Sequence, residues 1–64
     1  MLDLKKIKKF QREKKITSAQ LAEEAGVSGA MMTYILQGKR TPKIDTVVLM
    51  AHTLGCTVDQ IVRG

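Results

Sequence analysis

What most constrains this chain is how its punctuation divides so short a length: Gly26, Gly38, Pro42 and Gly55 cut 64 residues into segments suited to short helices. Apolar residues within those segments recur at helical rather than alternating spacing, which predicts five helices and no strand. The first helix takes Asp3 as its N-cap, turns Leu4, Ile7 and Phe10 inward and runs to about Glu13. The second opens at Thr17, where Thr17 and Gln20 form a T-x-x-Q capping box, and its inner face is Leu21, Ala22 and Ala25 up to Gly26. Ser28 caps the third, with Met32, Ile35 and Leu36 inward until Gly38. The fourth follows Pro42, points Ile44, Val47, Val48, Ala51 and Leu54 inward and stops at Gly55. A second T-x-x-Q box, Thr57 with Gln60, starts the fifth with Val58, Ile61 and Val62. The fold class expected is all-α: one domain over residues 1–64, with Leu21, Ile35 and Leu54 in its core.

A domain this small has little surface to bury, so the means of holding it together are few. Cys56 is the single cysteine and cannot form an internal disulfide, and there is no Cys/His cluster for zinc. Packing must therefore suffice, helped by association of two copies. The net charge of +5 points to a polyanionic partner, nucleic acid or an acidic membrane surface. That charge is concentrated: residues 1–43 carry ten basic and four acidic side chains, residues 44–64 one and two. With Phe10 and Tyr34 the only aromatics, the stacking platforms of single-strand and RNA binders are missing. The longest apolar run, Val47 to Ala51, is too short to span a bilayer or act as a signal sequence. A soluble, cytoplasmic chain is expected, with no membrane partner. Because the last helix reaches the end of the sequence, no further ligand-binding or oligomerisation domain is expected.

No enzyme is legible. Glu23 and Glu24 are adjacent and diverge around their helix, and His52 lies on the outer side of the fourth helix without a partner. Cys56 supports no nucleophilic reading, and there is no phosphate-binding glycine loop, nucleophile elbow or metal-ligand spacing. Neither a cofactor nor a small-molecule ligand is expected.

The second and third helices are separated by Gly26-Val27-Ser28, a three-residue turn with glycine first and a helix cap last. Val27 is placed to plug the gap between the two helices, and Ala22 allows them to approach closely. Here the chain resembles the Cro and lambda-repressor-like (XRE) helix-turn-helix family. The likeness runs from Ile7 through Val62: Leu21-Ala22-Glu23, Gly26-Val27-Ser28, Gly38-Lys39-Arg40-Thr41-Pro42, Ala51, Leu54-Gly55 and Thr57-Val58-Asp59. It implies a five-helix domain whose third helix enters the major groove of double-stranded DNA, with the motif at residues 17–36. It also implies a two-fold dimer.

Carried over by position, the resemblance assigns Ser28, Gly29, Ala30, Thr33 and Tyr34 to the bases or the adjoining groove. It assigns Thr17, Ser18, Gln37, Lys39, Arg40 and Lys43 to phosphates. Lys39, Arg40 and Lys43 also suit the dipole at the end of the third helix. The chain departs from the family in two places. Gly29 and Ala30 stand where relatives often carry Gln, Arg or Asn, so bidentate bonding to adenine or guanine is lost there. Recognition must then depend on methyl contacts from Ala30 and Thr33, on the hydroxyls of Ser28, Thr33 and Tyr34, and on DNA shape. Gln11 and Leu36 replace an Arg and a Glu that pair in many relatives; replacing both together strands no charge.

The function expected is sequence-specific double-stranded DNA binding by a small transcriptional regulator of bacterial or phage repressor type, associated with the nucleoid. The alternative is a protein-interaction module on the same fold, antitoxin-like or partner-binding, suggested by the apolar first turn Gly29-Ala30-Met31-Met32. Leu49, on the fourth helix away from Val47 and Leu54, is the candidate contact of a weak homodimer.

Overall fold

The computed structural model describes residues 1–63. Its five helices are α1 (Leu4–Lys14), α2 (Ser18–Ala25), α3 (Gly29–Leu36), α4 (Ile44–Leu54) and α5 (Val58–Ile61). Each of the first three begins on a side-chain cap. Asp3 Oδ1 accepts from Lys6 N at 3.2 Å, Thr17 Oγ1 from Gln20 N at 3.1 Å and Ser28 Oγ from Met31 N at 3.0 Å. Gln20 completes the box on α2, its Oε1 accepting from Thr17 N at 2.8 Å. Gln60 Oε1 accepts from Thr57 N at 2.9 Å ahead of α5. These bonds occupy amide donors that would otherwise lie open at the helix starts.

The first four helices stop alike, on a residue in the left-handed region whose successor's N–H reaches back to a carbonyl inside the helix. Gly26, Gly38 and Gly55 serve α2, α3 and α4, as their sequence positions predicted. At the end of α1 the same place is held by Lys15, with φ 56°. Ile16 N donates to Gln11 O at 2.8 Å there. Nothing in the sequence marked this stop, and α1 extends to Lys14 rather than ending at about Glu13.

The core is wholly apolar among the described residues: Ile7, Leu21, Met32, Ile35, Met50, Leu54 and Ile61 are sealed from solvent, with Ala22, Ala25, Leu36, Val47 and Ala51 around them. Leu4, Phe10, Val27, Val58 and Val62 pack against it half-buried. Val27 therefore packs against the core from the α2–α3 turn. The register of α4 needs correcting. Ile44 is 66% exposed and Val48 48% exposed, although both were expected inside, while Met50 is fully buried. The buried face is Val47, Met50, Ala51 and Leu54, and a helix cannot turn Val48 inward along with both Met50 and Leu54.

α2 packs on α3 and α4, and α1 and α5 close over α4. The extremities meet: Leu2 and Val62 form an isolated antiparallel bridge, with Asp3 N donating to Ile61 O at 2.8 Å and Arg63 N to Met1 O at 2.7 Å. Val62, expected to continue the fifth helix, is instead extended. Gln11 Nε2 donates to Ile16 O at 3.3 Å, and Leu36 lies in the core, so the two uncharged replacements are both accommodated. Cys56 is half-buried, and that burial pushes its thiol pKa up while the Lys14 ammonium pulls it partway back.

Candidate nucleic-acid interface

On α3 the buried residues decide what remains for the surface. With Met32, Ile35 and Leu36 facing the core, Gly29, Ala30, Thr33, Tyr34 and the cap residue Gln37 are left exposed along the outer side, and Ser28 is exposed at its start. All five residues assigned to the groove therefore share one continuous strip. The strip carries no charged side chain. It is narrow and smooth at its beginning, where Gly29 and Ala30 add almost no bulk, and Tyr34, 48% exposed, is its largest projection.

The two hydroxyls nearest the groove differ in what they can still do. Thr33 Oγ1 donates to Gly29 O at 3.0 Å, so its proton is held within the helix and its oxygen can only accept from outside. Ser28 is the reverse: its oxygen accepts from Met31 N, which leaves the hydroxyl proton for an external acceptor. The sequence had offered these as equivalent hydroxyls.

Lys39, Arg40 and Lys43 are exposed on the loop that leaves α3 and leads to α4, so the positive charge adjoins the end of the uncharged strip. Thr17 and Ser18 are exposed at the start of α2, the end of that helix away from the Gly26 turn. Gln20 was read only as a cap. It is exposed there, and because Oε1 serves the cap, its two amide hydrogens stay available as donors beside Thr17 and Ser18. Leu49 does not join this group. It is 43% exposed on α4, a helix packed against α1, α2 and α5.

Two short helices joined by a three-residue glycine turn, α2 and α3, form a helix-turn-helix. The helix-turn-helix family matches the chain over residues 4–61. The chain belongs to that family, in its XRE branch. It is similar to the immunity repressor protein of Bacillus phage phi105, at 35% identity over 57 residues covering 89% of this chain. The chain spans 40% of that repressor's length. No solved structure matches it.

Proposed function

We propose that the chain is a sequence-specific double-stranded DNA-binding transcriptional regulator of repressor type, acting in the cytoplasm at the nucleoid, with α3 lying in the major groove. The observation that carries this reading is the exposed strip from Ser28 to Gln37, continued by Lys39, Arg40 and Lys43. An uncharged helix surface can enter a groove without desolvating a charge, and the cationic loop beyond it supplies sequence-independent attraction to phosphate. The family and the phage repressor support the same reading.

In this arrangement Ser28, Gly29, Ala30, Thr33 and Tyr34 meet base edges and groove walls. Thr17, Ser18, Gln37, Lys39, Arg40 and Lys43 meet phosphates, and the positive end of α2 at Thr17 and Ser18 suits an anion. Gln20 is added to the phosphate set. Thr33, as an acceptor, suits the amino group of adenine or cytosine, with its methyl and Ala30 against thymine methyls. So sparse a set of base contacts leaves shape and deformability to carry part of the discrimination.

We also propose a weak homodimer through the outer face of α4. Val48 and Leu49 are successive exposed apolar residues there, 48% and 43% accessible, and Val48 enlarges a patch that Leu49 alone would leave minimal. An isologous contact on this face lets two α3 helices read half-sites roughly 34 Å apart. The competing protein-interaction reading has less support, since Met32 is sealed in the core and Met31 is half-buried, leaving Ala30 as the fully exposed apolar side chain of that first turn.

Selection from a pool of random duplexes tests the reading. An enriched pseudo-palindrome with half-sites about one DNA turn apart is expected. Binding indifferent to both sequence and salt would reject it.

A further inference from the structure

One cavity lies apart from the strip on α3 and the α4 face. It holds about 360 Å³, within the range of small-molecule sites. Its walls come from four separate parts of the chain: Leu2 and Leu4, Ile35 at the end of α3, Pro42 in the following loop, and the segment after α5. The last of these walls is clamped in place by the Leu2–Val62 bridge. Such a lining leaves no linear motif, which is why the sequence offered no ligand.

Three of the lining residues are cationic: Lys5, Arg40 and Arg63. None is acidic. Asp3, the acidic residue that adjoins the cavity in sequence, has its Oδ1 committed to Lys6 N as the cap of α1. A largely apolar lining that also includes one lysine and two arginines suits a molecule with a hydrocarbon body and one anionic head, because guanidinium groups can hold a carboxylate through paired charge-assisted bonds. At roughly 30 Å³ for each group, the volume holds on the order of a dozen heavy atoms.

We propose that this cavity is a binding site for a small amphipathic carboxylate, an aliphatic acid of about ten carbons, and that its occupant opposes DNA binding by engaging Arg40. The second half rests on the DNA reading above, in which Arg40 meets phosphate. A carboxylate bound to Arg40 both neutralises that charge and occupies the donors a phosphate would take. Occupancy and duplex binding are then linked, and each weakens the other by the same factor.

The probe is decanoate, kept below its micelle-forming concentration and titrated into the ¹⁵N-labelled protein without DNA. Saturable shifts are expected at the amides of Leu2, Leu4, Lys5, Gly38, Thr41 and Arg63. Decanol, equal in length and uncharged, should bind at least tenfold more weakly. Arg63→Gln should weaken decanoate several-fold, and Leu2→Trp, which fills the cavity, should abolish binding; if Leu2→Trp fails to fold, Arg63→Gln and decanol still decide. Shifts scattered over the whole surface, equal binding of decanol, or an unaffected Arg63→Gln variant overturn the site. Movement of the same amides with protein concentration alone would assign the cavity to a second copy and overturn it too.

A parallel duplex titration with saturating decanoate should show affinity lowered several-fold. Unchanged affinity removes the antagonism. A chain that binds no duplex even without decanoate overturns the DNA reading and the antagonism with it, while the DNA-free titration still decides the cavity.

Discussion

The side chain of Lys14 lies across Gly55, so that a Cβ built on that glycine would collide with the lysine Nζ and stand 3.5 Å from its Cε. The end of α1 thereby delivers a cation to the end of α4, where the last carbonyls of the helix favour positive charge. Gly55→Ala should destabilise the domain by about 1–2 kcal/mol, chiefly because φ at this position is +71°. The lysine tip is flexible and can swing aside, so the loss should be nearly the same in a Lys14→Ala background. Urea denaturation of the single and double variants checks this; a loss that vanishes without Lys14 would show that crowding, not backbone strain, sets it.

Lys15 makes the opposite case, a side chain held where glycine would rest more easily, at φ 56°. Lys15→Gly should raise stability by about 0.5–1 kcal/mol, the relief of left-handed strain being partly offset by a freer unfolded chain. A higher midpoint in thermal unfolding is the expected result.

For the cationic loop, Ala at Lys39, Arg40 or Lys43 should weaken binding to every duplex alike. Each lost contact should flatten the slope of log affinity against log salt by roughly one unit. Fluorescence anisotropy at a series of salt concentrations measures this directly, and an unchanged slope would place that residue away from phosphate.

Thr33 can be dissected because its methyl and its oxygen do different things. Thr33→Val keeps a methyl group but removes the acceptor, so the preference at one base pair should fall by about 1–3 kcal/mol. Uniform weakening across all duplexes would mean that Thr33 reads no base. Tyr34→Phe, compared on the same panel of sites, isolates the phenol hydroxyl in the same way.

On the outer face of α4, Leu49→Lys should lower cooperativity on a full pseudo-palindrome and spare binding to an isolated half-site. Sedimentation and gel-shift titrations together decide this. Unchanged cooperativity would move the dimer contact to the remaining exposed surface of α5.

Where the sequence was legible, the signals were local and polar. Thr17 with Gln20, Gly26 and Ser28 mark the two helices and the turn between them without reference to the rest of the chain. The core positions of α3 then fix which of its residues face outward. The phase of α4 was harder because Val47 to Ala51 is an unbroken apolar run that covers every direction around the helix. Only its packing against α1, α2 and α5 selects Met50 over Val48. The α1 stop was hidden because Lys15 carries no glycine signal, and the Leu2–Val62 pairing because main-chain bonds leave no side-chain trace. At the site itself, the opposite hydrogen-bonding polarity of Ser28 and Thr33 depends on which internal partner each hydroxyl has taken, which composition does not encode.

The Leu2–Val62 bridge has a bearing on how the domain is made. It joins residues near opposite ends of the described segment, so the loop it closes is among the longest there. During synthesis α2 and α3 can begin to pack once α4 follows them, whereas the backbone of Met1 and Asp3 must wait for Ile61 and Arg63. A nascent chain held back before Val62 leaves the ribosome should therefore keep its first residues accessible to proteases until translation resumes.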